Sequence, residues 1–74
     1  MELDMWVVYD HPTDYPNKFV ARKHVVTICG SAPTQNIILA DDIEAVREVL
    51  LAQMGLTRIP RQLDDDPKIM ETWI

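Results

Sequence analysis

Cysteine, glycine and positive charge are all scarce in this chain of 74 residues. Cys29 is the single cysteine, so no internal disulfide can form and a cysteine-based zinc site is excluded. Glycine occurs twice, and Gly30-Ser31 is too short a stretch to cradle a phosphate. Seven Lys and Arg face twelve Asp and Glu, a net charge of −5. The chain therefore lacks the cationic face that displaces counterions from nucleic acid or holds an anionic membrane surface. No apolar run approaches the roughly eighteen residues a membrane span needs. The opening residues Met1-Glu2-Leu3-Asp4-Met5-Trp6 are acidic and contain no apolar h-region. With a free cysteine and no export signal, the cytoplasm is the expected compartment.

These absences bear on stability. A chain of this length reads as one domain, residues 1–74, and such a domain buries only about 60% of the surface its unfolded state exposes. A single core then supplies roughly 3–5 kcal/mol, which small domains supplement with disulfides, metals or oligomerisation. Oligomerisation is the route left open, and a homodimer or an unidentified protein partner is expected.

What is present points to an α+β fold. Residues 5–9 form a Val- and aromatic-rich run that reads as a strand, apolar on both phases and hence covered on both faces. Residues 10–17 hold Pro12 and Pro16 and read as a loop, because proline cannot join the middle of a ladder. Residues 18–28 read as a second strand. Its polar centre, Arg22-Lys23-His24, suits an edge, a bulge or a partly solvated face. Residues 30–35 read as a turn and 36–40 as a short third strand. Residues 41–54 carry the helical stripe Ile43, Val46, Leu50 and Met54, widened by Val49 and Leu51. Asp41 and Glu44 stand at capping-box spacing, and Gly55 is placed to end the helix. Residues 56–67 read as irregular, and 69–74 as a last strand. The expectation is a small, mostly antiparallel four-stranded sheet in the order β-β-β-α-β, with one helix packed on one face. Trp6 and Trp73 are expected in its core.

One helix of that length covers part of one face. The other face is expected to remain apolar and open, and such patches mark interaction sites. The competing expectation is that residues 56–63 fold back and cover it. Polar chemistry concentrates in the loop at 10–17. His11, Asp14, Tyr15 and Arg22 are the expected contact residues for a protein partner. Asp10, His11, Asp14 and His24 are metal-ligand types, which opens the alternative of a small metal-dependent protein or enzyme. Their spacing matches no ligand motif, so no metal, cofactor or catalytic residue is assigned. His11 or His24 with an aspartate resembles a general-base pair and Cys29 a nucleophile, but Cys29 after Val25-Val26-Thr27-Ile28 is expected as a small buried hydrophobe. The run Asp64-Asp65-Asp66 lacks a calcium-loop pattern. Arg58 and Arg61 are expected to pair with it, or to grip an acidic partner.

The stretch Tyr9-Asp10-His11-Pro12-Thr13-Asp14-Tyr15-Pro16-Asn17-Lys18-Phe19-Val20-Ala21-Arg22 resembles a family of short uncharacterised bacterial proteins, some of them prophage-borne. The similarity extends to Ala40-Asp41-Asp42 and Trp73. It implies a bacterial or phage setting and nothing about mechanism. The expected role is a cytoplasmic protein-interaction module, expected to be dimeric. An acidic phage-type inhibitor of a host protein is a further alternative.

Overall fold

The computed structural model describes residues 3–61 and 67–74. The two Val-rich runs form β1 (Leu3–Asp10) and β2 (Phe19–Thr27), antiparallel, with Val8 opposite Ala21. β3 (Gly30–Ala40) follows after a tight hairpin. The expected turn at 30–35 is thus the first half of β3, and the reversal occurs at Ile28 and Cys29. Gly30 takes φ 121°, a region that glycine enters without steric cost. The Thr27 hydroxyl oxygen accepts from the Cys29 N–H at 3.2 Å, which holds the turn. Cys29 is therefore exposed at the hairpin tip and is not a core residue.

The sheet has five strands in the order β3-β2-β1-β5-β4, with every neighbouring pair antiparallel. This corrects the expected count of four. The added strand is β4 (Arg58–Pro60), three residues long, on the outer edge beside β5 (Ile69–Trp73). Its Pro60 fits because proline is tolerated on an edge strand. The polar centre of β2 lies opposite a bulge: Arg22 pairs with Ile37 and His24 with Pro33, so β3 accommodates extra residues there. β2 itself is an interior strand.

The helix is shorter than its apolar stripe implies. α1 spans Ile43–Glu48 and passes into a π-helical turn, Val49–Gln53. Its N-cap is Asp42, whose carboxylate accepts from the Ala45 N–H at 2.8 Å. Asp41, the expected cap, pairs with Lys18 instead. Met54 N–H donates to the Val49 carbonyl at 3.2 Å, one residue further back than an α-turn allows. This widening carries Leu51 and Met54 out of the stripe, and both are exposed. Gly55 closes the segment at φ 65°, as expected of a C′ glycine.

Strand alternation assigns the two faces. Trp6 and Val8 of β1, Phe19 and Ala21 of β2, and Ile38 and Ala40 of β3 point toward α1 and meet Ile43, Val46 and Leu50. Trp73 from β5 is buried in the same core, with Trp6 packed against it. At the centre of this side stands Glu71, fully buried. Arg47 of α1 donates to both its oxygens, through Nη2 to Oε1 at 2.7 Å and through Nε at 3.2 Å. Arg58 Nε of β4 donates to Oε1 at 3.0 Å, and Trp73 Nε1 to Oε2 at 2.7 Å. Arg58 thus has its partner on the neighbouring strand. The acidic run at 64–66 lies outside the described residues.

Burial pushes the Glu71 carboxyl up, but the hydrogen bonds from Arg47, Arg58 and Trp73 outweigh it and hold the group below its ordinary 4.5. A depressed carboxyl stabilises the fold fully above that ordinary value and ceases to do so as pH falls through the folded value. Glu71→Gln is expected to cost about 3 kcal/mol at neutral pH and to flatten the loss of stability below pH 4.5. Urea midpoints measured across pH for both proteins check this. Equal midpoints at neutral pH would show that the cluster is dispensable.

Candidate functional site: the helix-free sheet face

The same register places Leu3, Met5, Val7 and Tyr9 of β1 beside Val26, His24, Arg22 and Val20 of β2 on the opposite face. Ile37 and Leu39 continue the row on β3, Ile69 and Thr72 on β5, and Ile59 on β4. Among the described residues no helix or strand covers this face, although Val7 and Val20 on it are buried and the loop at 10–17 overhangs one end. Leu56 packs against the core on the other side, and residues 58–60 widen the sheet at its edge. The described part of the 56–63 segment therefore does not fold back as a cover. Residues 62 and 63 lie outside the described set.

Two hollows adjoin on this face. One, of about 350 Å³, lies beneath the loop at 10–17 and is walled by Pro12, Asp14, Val20, Arg22 and Pro33. The other, of about 410 Å³, extends over Met5 and Val7 toward Ile59 and Ile69. Tyr9 and His24 line both hollows. The Tyr9 hydroxyl and His24 Nε2 are 3.3 Å apart and form a hydrogen-bonded ridge between them.

Arg22 fixes the wall of the first hollow. Its Nη2 donates to Asp14 Oδ2 at 2.9 Å and its Nη1 to the Thr34 carbonyl at 3.1 Å. The guanidinium thereby ties the loop to the bulge of β3, where the Thr34 hydroxyl donates to the Lys23 carbonyl at 2.8 Å. Within the loop, Tyr15 N–H donates to the Pro12 carbonyl at 3.0 Å, and Lys18 N–H to the Tyr15 carbonyl at 3.2 Å. Pro12 is buried by this closure.

The expected contact residues separate. Asp14 and Arg22 meet and line the first hollow. His11 sits at φ 50°, pairs with Asp10, and sets its ring edge-on to Phe19 at 4.8 Å, on the helix side of the sheet. Tyr15 is half-buried and belongs to neither lining. The metal-type quartet separates as well: Asp10 pairs with His11, Asp14 with Arg22, and His24 with Tyr9. Among the described residues no three metal-ligating side chains converge. Cys29 and His11 flank opposite ends of β2, roughly 25–30 Å apart at about 3.3 Å per residue, so they form no nucleophile and base pair. Tyr9, Pro12 and Pro33 were not expected at the site. The parity of β1 and β2, counted from Val7 and Val20, is the signal that places Tyr9 with Arg22 and His24.

No family model matches the chain, and comparison with curated proteins and with solved structures gives no significant match. The resemblance over residues 9–22 therefore rests on its own motif.

Burial, and then the charge of Arg22, lowers the His24 pKa from its ordinary 6.5, so the ridge is neutral at physiological pH. The chemistry this face offers is apolar contact around a neutral donor and acceptor pair. His24 is expected to titrate below 6.5. Arg22→Gln should raise the value only partway, since burial remains. NMR titration of the imidazole Cε1–H reads both, and a wild-type value at or above the ordinary one would contradict the assignment.

Proposed function

We propose that the chain is a protein-interaction module that docks a partner through its helix-free sheet face. The observation that carries this reading is the pair of adjoining hollows on an apolar sheet face that no described helix or strand covers. Concave apolar surface with a few convergent polar groups is the usual form of a recognition site. The contact set becomes Tyr9, Asp14, Arg22 and His24 with the apolar residues around them, and His11 and Tyr15 shape the loop that walls the first hollow. A bacterial or phage setting belongs to the same reading and is supported by the motif resemblance, and a cytoplasmic one by the free Cys29. The metal-dependent alternative draws no support from the geometry, because its four residues have separate partners. An acidic inhibitor would use charge, and this face presents an Arg22–Asp14 pair in place of an acidic surface.

A photo-crosslinking residue placed at Leu39 or Met5, in cells that express the protein, should give discrete adducts. The same residue at Leu51, exposed beside the π-helical turn, should not. Adducts at Leu51 alone, or none from the sheet face, would overturn the proposal.

A further inference from the structure

We infer that the occupant of the helix-free face is a second copy of this chain, packed sheet to sheet about a two-fold axis. The inference rests on the docking reading above and names its partner.

Charge selects this face. The whole chain carries −5, so two copies repel each other on approach. The charged groups that the strands place on this face or that line its hollows are Arg22, Asp14 and His24. Arg22 and Asp14 neutralise each other at 2.9 Å, and His24 is held neutral by its surroundings. Among the described residues this surface therefore carries no net charge, so two copies can meet on it without direct repulsion between like charges.

Area permits the contact. Strands spaced about 4.8 Å apart with about 3.3 Å per residue give the ladder a face of roughly 600 Å². Two such faces bury roughly 1,200 Å², the lower bound for specific interfaces. The buried apolar core of one copy comprises Val7, Val8, Val20, Ala21, Val46, Leu50 and Trp73, and a single such core gives a small domain little stability. Shape agrees as well. A two-fold axis parallel to the two sheets, running between the ridge and the larger hollow, seats each Tyr9–His24 ridge in its mate's larger hollow, the reciprocal contact that an isologous interface requires.

The sheet edges are poorer routes. β3 is long, but Pro33 and the bulge before Ile37 interrupt its outward row of backbone groups. β4 is three residues ending in proline. Edge-to-edge pairing is interrupted on β3 and short on β4, so face packing is the better route.

Sedimentation equilibrium and light scattering of the purified chain test this. At high micromolar concentration the mass should be twice that of the chain, and NMR resonances of Met5, Tyr9, His24 and Ile37 should shift on dilution. Leu39→Asp, at a site 45% exposed, should weaken self-association about tenfold or more while far-UV circular dichroism stays unchanged, since a dimer would bury the new charge. Leu51→Asp should leave it intact. A monomer at high micromolar concentration overturns the second copy, whereas crosslinks to other proteins from Leu39 would leave the docking reading standing. A dimer indifferent to Leu39→Asp, with dilution shifts on the helix side, also overturns it.

Discussion

The burial of Glu71 is the constraint on which the rest of the structure depends. A lone carboxylate without water costs several kcal/mol, so it must be met by donors from several directions. Those donors come from different elements: Arg47 from α1, Arg58 from β4 and Trp73 from β5 itself. One residue thereby anchors the helix to the sheet and recruits the shortest strand to its edge. α1 has six residues, well below the length at which an isolated helix persists in water. Its persistence rests on Arg47 reaching Glu71 and on Val46 and Leu50 entering the core beneath. Since the only carboxylate buried among the described residues lies on that side, the helix is committed to it, and the opposite face is left to the loop at 10–17 and to solvent.

The π-helical turn follows from the same geometry. A regular α-helix from Ile43 onward would keep Leu50 and Met54 on one stripe. The inserted step keeps Leu50 fully buried and releases Met54 and Leu51 to the surface. It also lets Gly55 and Leu56 turn back, with the Leu56 N–H on the Leu50 carbonyl at 3.0 Å and the Thr57 N–H on the Ile74 carbonyl at 2.7 Å. The chain is then aligned to enter β4 beside β5. An uninterrupted α-helix would carry the chain past that edge.

Much of this was legible in the residues because local preference and tertiary demand agree there. Val7-Val8 and Val25-Val26 favour extended backbone, and β1 and β2 form where those pairs lie. Asp42 one position after Asp41 shows how little separates two equivalent caps: both carboxylates suit the role, and Lys18 beside the neighbouring strand end takes the first. The rest was illegible because the deciding interactions are distant in sequence. Residues 30–35 have a turn composition, yet they extend as a strand because Pro33 and the bulge fit an edge. Arg58-Ile59-Pro60 is too short for any periodicity, and it is a strand because Glu71 draws Arg58 to β5. Glu71 itself looks like the solvent phase of an alternating strand until its two arginines are located. For the site, the residue types around the loop were informative but their directions were not. His11 and Asp14 are three positions apart in one loop, and they serve opposite faces of the sheet.

On the helix-free face, several polar side chains already have their hydrogen-bond partners within the chain. Burying a polar group costs little when its hydrogen bonds are already made within the chain, and a great deal when they must be found in a partner. Here the Tyr9 hydroxyl meets His24, and the Arg22 guanidinium meets both Asp14 and the Thr34 carbonyl. Tyr9, His24, Arg22 and Asp14 thus bring their own partners, so at these positions an approaching surface need supply only shape and apolar contact. Removing one member of such a pair would leave the other unsatisfied beneath the partner, and the loss would fall on binding more than on the free fold. That asymmetry supports the docking reading proposed above, because polar groups already paired within the chain lose little when water is displaced.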